Sequence, residues 1–311
     1  MTELIIKSKT AKFDTGSEAL AANFRDYDLG NITYIKLSEN SYGKEACQWI
    51  ADNVLKKATR LTRVDFSDMF TSRIRAELPG SLKILMNNLN PNIITELNLS
   101  HNAFGPDGVR QFQDFLTKAS SLKKLDVTNC GLGPAGAQMI ADAILKNPTM
   151  KLTEFRASRD RLEEQGMAAI GQVFEKQQSI EIIEVYQNGS KTGIPALLKS
   201  LLSCKSTLKE LHLQDNKSIN RAIPELEKLI IECTNLEVLD ISDLNMWKKH
   251  AIVISAAFIK ALKAGSKLRV IKWNHDLSCS YTTASNLLNQ ISGLVSSSLR
   301  TLEMTGVFQL R

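Results

Sequence analysis

One pattern of apolar positions recurs along the whole chain. In the copy formed by Ile94, Leu97, Leu99 and Asn102, two apolar residues alternate with polar ones and an asparagine follows three positions later. Because strand side chains alternate between two faces, such a pair predicts a short strand with one buried face. Clear copies begin at Ile32, Ile94, Leu122, Ile180 and Leu208, and weaker copies begin at Leu61, Leu152, Leu236, Leu268 and Leu299.

Each repeat is long enough for a strand and a helix. Neighbouring copies begin 28 to 33 residues apart, and apolar residues at helical spacing follow Gly-Pro pairs, as they do after Gly133 and Pro134. A period of this length over ten copies is typical of the long, ribonuclease-inhibitor-like leucine-rich repeat. We therefore predict an α/β solenoid in the form of a horseshoe or crescent, with parallel strands on its concave side and helices on its convex side.

The repeats predict a single domain over residues 1–311. Within it we expect an N-terminal cap at 1–31, the repeats at 32–298 and a terminal strand at 299–311. The Asn or Cys that ends each motif is predicted to turn inward and bond backbone groups of neighbouring loops, which would otherwise be buried without partners.

Composition and charge narrow the functional class. With 43% hydrophobic and 23% charged residues the chain can bury a large core, and we find neither an apolar run long enough for a membrane span nor a secretory signal. The net charge of +6 is modest, and no run of five basic residues suggests binding to nucleic acid. We expect a soluble cytosolic protein without nucleic-acid or membrane partners.

The sequence contains no self-contained active site of a usual kind. Phosphate-binding, zinc-protease and nucleophile-elbow motifs are missing, and the four histidines stand on different repeats without ligand spacing. The five cysteines are widely separated, which predicts free buried thiols rather than disulfides or a metal site. A protein that acts by binding a partner fits this sequence better than an independent enzyme.

Polar residues occupy one position in almost every repeat, immediately before the inward-turning Asn or Cys. This row contains Glu39, Asp68, His101, Asn129, Arg159, Gln187, Asp215, Asp243 and His275. It can be a solvated loop edge or an extended binding surface, since solenoids bind partners along such edges. The longest spacing between motifs also places a loop after Phe66 that carries Arg73 and Arg75, which suit phosphate or carboxylate groups.

These segments resemble the Ran GTPase-activating proteins. The matching strings are collinear between residues 32 and 216, and they comprise residues 66–79, 97–108, 129–134, 159–163, 187–189 and 211–216. The resemblance implies a crescent that binds the GTP-bound form of the small GTPase Ran and accelerates its GTP hydrolysis in support of nucleocytoplasmic transport. It also implies that the chain needs no cofactor, because GTP and magnesium are bound by Ran.

The resemblance further implies individual roles. Asn129 falls on the asparagine that supports Ran's water-positioning glutamine, and Arg73 falls on the essential loop arginine. Arg73 can act as an inserted finger or as an anchor for its loop, and the resemblance favours the anchor. The implied partner-binding residues are Asp68, Arg75, His101, Asn102, Phe104, Arg159, Arg161, Gln187 and Asp215. In the relatives' pattern an aspartate stands where this chain has His101.

Two expectations about the whole protein remain open at this point. The expected location is the cytoplasm, with the neighbourhood of the nuclear envelope as an alternative. A non-catalytic leucine-rich-repeat scaffold is the alternative function, and GTP hydrolysis by Ran would separate it from an activator.

Overall fold

The structure, a computed structural model, describes residues 2–6, 8–189, 192–217, 219–275, 281–294 and 298–305. The chain divides into two compact units, Met1–Asp160 and Arg161–Arg311. The prediction of one domain over 1–311 stays a prediction, and the end of its terminal strand segment, residues 306–311, lies outside the described residues.

The described residues of the first unit form eight strands and six α-helices. Six of the strands form a parallel sheet in the order β1, β3, β5, β6, β7, β8, and β2 pairs with β4 in a separate parallel pair. Their bounds are β1 Glu3–Ile5, β2 Lys12–Phe13, β3 Tyr34–Lys36, β4 Ser41–Tyr42, β5 Arg63–Asp65, β6 Glu96–Asn98, β7 Lys124–Asp126 and β8 Glu154–Arg156. The helices are α1 Glu18–Ala21, α2 Lys44–Asn53, α3 Leu78–Asn87, α4 Gly105–Val109, α5 Gln113–Lys118 and α6 Gly133–Leu145, and short 3₁₀ turns lie at Ala22–Phe24, Leu29–Asn31 and Leu55–Lys57.

The second unit continues the same alternation of helix and strand. Its five described strands are parallel and lie side by side in chain order. They are β9 Ile182–Glu184, β10 Glu210–His212, β11 Val238–Asp240, β12 Val270–Lys272 and β13 Thr301–Glu303. The helices are α7 Glu163–Gln177, α8 Gly193–Leu201, α9 Ile223–Glu232, α10 Lys248–Lys263 and α11 Tyr281–Ser292, with a 3₁₀ turn at Leu202–Cys204.

The predicted apolar pattern sets the register of both sheets. Each repeat strand begins two residues after the start of its motif, and its central residue is aligned with the central residue of the next strand, as Leu97 is with Leu125. Both of these leucines are buried, whereas the strand residues on either side of them are at least partly exposed. The apolar alternation therefore builds one continuous buried row through each sheet.

The inward-turning residues bond backbone groups as predicted, and together they form a ladder of hydrogen bonds from repeat to repeat. The Asn102 amide donates to the carbonyls of Phe66 (2.7 Å) and Leu99 (2.8 Å) and accepts from the Met69 N–H at 2.8 Å. In the second unit the Asn216 amide donates to the carbonyls of Val185 and Leu213. One side chain thus bonds backbone of its own and the preceding repeat, which confirms the predicted role of this position.

At two of the inward-turning positions a residue other than an amide makes these hydrogen bonds. Cys130 donates from its thiol to the Leu99 carbonyl at 3.1 Å, and Asp160 accepts from the Cys130 N–H at 2.7 Å. Burial raises the pKa of the Cys130 thiol well above its usual range and raises the pKa of the Asp160 carboxyl to about 7. Cys47, Cys130, Cys204 and Cys233 are free and buried, as predicted, whereas Cys279 lies outside the described residues.

The helices follow their predicted apolar faces with one interruption. Ala137, Ile140, Ala141 and Ile144 are buried along one side of α6. The corresponding apolar residues after Gly105 are divided between α4 and α5, which are separated at residues 110–112. No described helix is long and apolar enough to cross a membrane.

The N-terminal segment closes the first sheet with backbone pairing. Strand β1 pairs with β3, and Leu4 between its exposed neighbours is completely buried. Strand β2 brings Phe13 against Tyr42, with ring centroids 5.5 Å apart. These contacts hold residues 12–14 beside the loop that follows β5.

Candidate functional site

The row of polar residues has a shared backbone conformation. All nine adopt left-handed conformations, with φ between 46° at Asp68 and 66° at Glu39. Asn, Asp and His are enriched in this region among non-glycine residues. The conformation therefore explains part of the polarity of the row, and polarity alone does not identify a binding surface.

Hydrogen bonds between repeats hold this conformation. The N–H of Asp68 donates to the Ser100 carbonyl (2.9 Å), that of His101 to the Thr128 carbonyl (2.8 Å) and that of Asn129 to the Ser158 carbonyl (2.8 Å). The next residue in each repeat turns its side chain inward, so each row residue presents its own side chain at the rim where the strand ends. In the first unit this rim carries Asp68, His101, Asn129 and Arg159.

Asn129 is half-buried at the rim and contacts its neighbour in the row. Its Nδ2 atom lies 3.2 Å from Nδ1 of His101, whose side chain is exposed. An amide side chain has both a donor and an acceptor, which suits it to orient another amide or a water molecule. Asn129 therefore has the exposure and chemistry that its predicted role requires.

Arg73 is buried in contacts with the N-terminal segment. Only 8% of its side chain is exposed, and its guanidinium forms an ion pair with Asp14. Nε donates to Ser41 Oγ at 2.9 Å, and Nη2 donates to the carbonyls of Phe13 and Ser41, each at 3.1 Å. The guanidinium lowers the pKa of the Asp14 carboxyl. This geometry favours the anchoring role, while the part of Arg73 in hydrolysis remains a prediction.

The loop between β5 and α3 presents different residues to solvent. Arg75 is exposed, and its Nη2 atom lies only 2.5 Å from the position that a Cβ on Gly105 would take. Ile74 is 64% exposed. Asp68, at the start of the loop, accepts from the Thr71 hydroxyl at 2.5 Å. The loop is thus tied to the N-terminal segment by Arg73 and lies against the Gly105 turn through Arg75.

Two predicted contact residues are not at the surface. Asn102 is 4% exposed and uses its amide in the ladder, and Phe104 is fully buried against Phe112 with a ring-centroid distance of 5.7 Å. The structure corrects the prediction that their side chains bind a partner. Both shape the turn that supports His101 and Gly105.

In the second unit the structure brings three predicted residues together. Arg161, Gln187 and Asp215 line one open groove, together with Glu163, Glu164, Asn188, Gly189 and Lys217. Arg161 has a left-handed φ of 54° and an exposed side chain. A groove with basic, acidic and amide groups can bind a polar surface of another protein.

Sequence reasoning missed Ile74 and the charged face of the first sheet. The signal for Ile74 was its place between two arginines in an inserted loop. On the sheet, Lys124 lies 3.3 Å from Glu96 and 3.6 Å from Glu154, which also contacts Arg156. Each of these charges already has a partner within the face, so isolated charged positions in the sequence do not indicate free binding groups.

Metal chemistry has no support in the described part of the chain. No group of three or more His, Cys, Asp or Glu side chains there is arranged to hold a metal ion.

Comparison with known proteins gives both a fold and a set of relatives. A family model described as Leucine Rich repeat matches residues 91–112 and 118–141. The chain is 35% identical over 199 residues to Ran GTPase-activating protein 1 of Xenopus laevis, covering 60% of this chain and 34% of that protein. It is 31% identical over 216 residues to Ran GTPase-activating protein 1 of Saccharomyces cerevisiae, covering 65% and 53%.

The chain therefore spans about a third of the frog relative and about half of the yeast relative. Among solved structures, the leucine-rich-repeat-containing protein LegL7 from Legionella pneumophila matches with a TM-score of 0.52 and 12% identity, over 98% of this chain and 91% of that one. The predicted leucine-rich-repeat fold and the resemblance to Ran GTPase-activating proteins are both confirmed.

Proposed function

We propose that this chain is a GTPase activator that binds the GTP-bound form of Ran and accelerates its GTP hydrolysis. The observation that carries the proposal is the similarity to frog and yeast proteins of that name over more than half of the chain. The absence of a phosphate-binding motif from the sequence agrees with it, because GTP and magnesium would be held by the partner.

Asn129 is the proposed catalytic residue. Its amide would contact Ran's water-positioning glutamine and restrict that glutamine to the productive orientation, which lowers the barrier by positioning rather than by new chemistry. The half-buried rim position of Asn129 supports this role, since the backbone is fixed by the hydrogen bond to Ser158 while the amide faces outward.

Arg73 would contribute to hydrolysis without reaching the phosphates of the partner. An arginine finger must reach the phosphates of the partner, whereas the Arg73 guanidinium is occupied by Asp14, Ser41 and Phe13 within this chain. We therefore assign it the anchoring of the loop that carries Arg75. The proposed partner contacts are Asp68, Arg75, His101 and Arg159 in the first unit and Arg161, Gln187 and Asp215 in the second.

This activity would place the protein in the cytoplasm as part of nucleocytoplasmic transport. The direct test is single-turnover hydrolysis of radiolabelled GTP on Ran, with and without excess chain. We expect a large acceleration with Ran, none with a Ras-like GTPase, and no binding of labelled GTP to the chain alone. Binding to Ran without acceleration would favour the scaffold alternative, and no binding to Ran would exclude the proposal.

A further inference from the structure

Neighbouring side chains of the row are close enough to set one another's orientation. Adjacent parallel strands lie ~4.8 Å apart, and the row follows this spacing from repeat to repeat. In the first unit His101 Nδ1 lies 3.2 Å from Asn129 Nδ2. In the second unit His275 Nδ1 lies 3.4 Å from Asp243 Oδ2 at the equivalent pair of positions. The row geometry therefore permits such a contact in both units.

The two atoms of the first pair determine which side chain donates the hydrogen bond and which accepts it. The Asn129 Nδ2 group can only donate, so Nδ1 of His101 must accept. An imidazole nitrogen accepts only when the ring is neutral and its proton is on the other nitrogen, Nε2. This pairing turns the Asn129 Oδ1 atom away from His101, and within the described residues Oδ1 accepts no hydrogen bond.

We propose that His101 is a positioning residue that orients the Asn129 amide so that its Oδ1 atom is presented to an N–H group of the partner. The proposal rests on the proposed function, in which Asn129 contacts the glutamine side chain of Ran. The glutamine amide would donate to Asn129 Oδ1, which leaves the glutamine oxygen to accept from the attacking water. His101 itself touches neither the nucleotide nor that water.

The arrangement predicts a dependence on pH. A protonated imidazole has two donors and no acceptor, so it opposes the Asn129 Nδ2 group and favours an amide rotated by half a turn. That rotation would present Nδ2 to the partner and remove the acceptor. Stimulation should therefore fall when the His101 ring is protonated.

Charged groups of both signs lie in the loops and row positions next to His101 along the chain and in the adjacent repeats. Asp68 precedes it in the row, Arg75 lies against Gly105, and Asp126 caps the Thr128 N–H in the following repeat. Asp107 pairs with Arg110 in the helix after the His101 loop, and Arg159 follows Asn129 in the row. Among the described residues none of these groups forms an ion pair with His101, and its side chain contacts that of Asn129.

The first experiment needs no partner. The side-chain amide signals of Asn129, assigned by comparison with Asn129→Ala, would be followed by ¹⁵N NMR on the full chain between pH 5 and 8.5. We expect them to shift with the titration of one histidine and to lose that shift in His101→Asp. Amide signals that do not change with pH in the unmodified chain would overturn the contact, whatever the outcome with Ran.

The second experiment measures hydrolysis by Ran at saturating chain across the same pH range, corrected for the intrinsic rate of Ran. His101→Ala should lower the saturated rate about 2- to 10-fold at pH 8, the effect of one orienting hydrogen bond, with little change in half-saturating concentration. His101→Asp should keep the saturated rate at pH 8. Its saturated rate should not decline at low pH, because a carboxylate accepts the hydrogen bond from Asn129 Nδ2 throughout the range. His275→Ala is the matched control and should behave like the unmodified chain.

The two possible failures are distinguishable. If the unmodified chain does not stimulate Ran at any pH, the proposed function fails and the positioning role fails with it, while NMR still reports the side-chain contact. If it stimulates Ran but His101→Ala has the same saturated rate and pH profile, only the positioning role is overturned. A rise in half-saturating concentration with an unchanged saturated rate would show that His101 acts only as the partner contact already proposed, and would overturn the positioning role equally.

Discussion

The guanidinium of Arg73 is ion paired with Asp14, a residue 59 positions earlier in the chain. The pair joins the loop after β5 to the N-terminal segment, and Ser41 and Phe13 complete the set of acceptors. Because the side chain is 8% exposed, the loop beside the rim depends on a buried cation that must keep all these partners.

Replacement of Arg73 by alanine should therefore reduce stability as well as binding. We expect Arg73→Ala to lower the free energy of unfolding by about 2–3 kcal/mol, since hydrogen bonds to charged groups contribute ~1.5–3 kcal/mol each and only some are replaced by water. Urea unfolding followed by circular dichroism measures the loss. Arg75→Ala, at an exposed position in the same loop, should unfold like the unmodified chain.

The same variant separates the two roles of Arg73 in hydrolysis. An anchor predicts that excess Arg73→Ala recovers much of the saturated rate, whereas an inserted finger predicts a loss of ~10³–10⁵ that no concentration restores. Single-turnover rates on Ran across a range of activator concentration give the answer. An unrecovered loss in a folded variant would reject the anchor.

Asn129→Ala should lower the saturated rate without lowering stability, the reverse of what the anchoring role predicts for Arg73→Ala. No core volume is removed, so the unfolding midpoint should be nearly unchanged, while the saturated rate should fall roughly 10²- to 10³-fold, as for other single preorganised polar groups. Asn129→Asp should not restore it, because a carboxylate lacks the amide donor and adds negative charge near phosphates. A normal saturated rate in the folded alanine variant would remove Asn129 from the mechanism.

Gly105 offers a test of Arg75 that leaves the arginine itself intact. A Cβ at Gly105 would lie 2.5 Å from Arg75 Nη2, whereas a Cβ at Gly131, with a similar left-handed φ of 68°, would have no atom within 4 Å. Both alanine variants should pay ~1–2 kcal/mol for the left-handed backbone. Only Gly105→Ala should also move Arg75, so it alone should raise the half-saturating concentration for Ran, by several-fold. Equal effects in the two variants would show that Arg75 does not contact the partner.

The ladder predicts a pH effect on stability at Asp160. Its pKa is raised to about 7 by burial, above the 3.8 of a free carboxyl, so the folded chain holds a proton that the unfolded chain has released. The contribution of this group is full below pH ~4 and is lost as the pH rises to 7, by ~4 kcal/mol in all.

Asp160→Asn should remove that loss. Urea unfolding at pH 5, 6, 7 and 8 should show a stabilisation of the variant that grows with pH and levels off above 7. Asn188→Asp, at the ladder position of another repeat, should create a similar loss of stability at high pH. A difference between Asp160→Asn and the unmodified chain that is constant across this range would contradict the assignment.

The features that depend on short-range sequence pattern could be predicted from the sequence. The strands, their order and the inward-turning Asn102 and Asn216 follow from spacing that repeats every 28 to 33 residues, because each repeat bonds only to its neighbours. The same inward turn makes the prediction of a partner contact for Asn102 wrong. Its side chain forms hydrogen bonds with buried backbone groups and is therefore not available at the surface.

Long-range contacts could not be predicted in this way. Nothing in the local pattern pairs Arg73 with Asp14, and the short strand that carries Phe13 to this position has only two residues. The contact of Arg75 with Gly105 likewise depends on how an inserted loop returns to the stack. The rim residues were found by spacing, but their left-handed backbone and the His101–Asn129 contact required atomic positions.

The regular pitch of the rim has a consequence for how this surface can evolve. Side chains on consecutive repeats can touch, as His101 and Asn129 do, so a substitution at one position of such a pair changes the environment of the other. Contributions of contacting residues are not additive, whereas distant sites contribute independently. Adaptation to a new partner would therefore proceed in neighbouring pairs, and an exchange that fails alone at position 101 can succeed when position 129 changes with it.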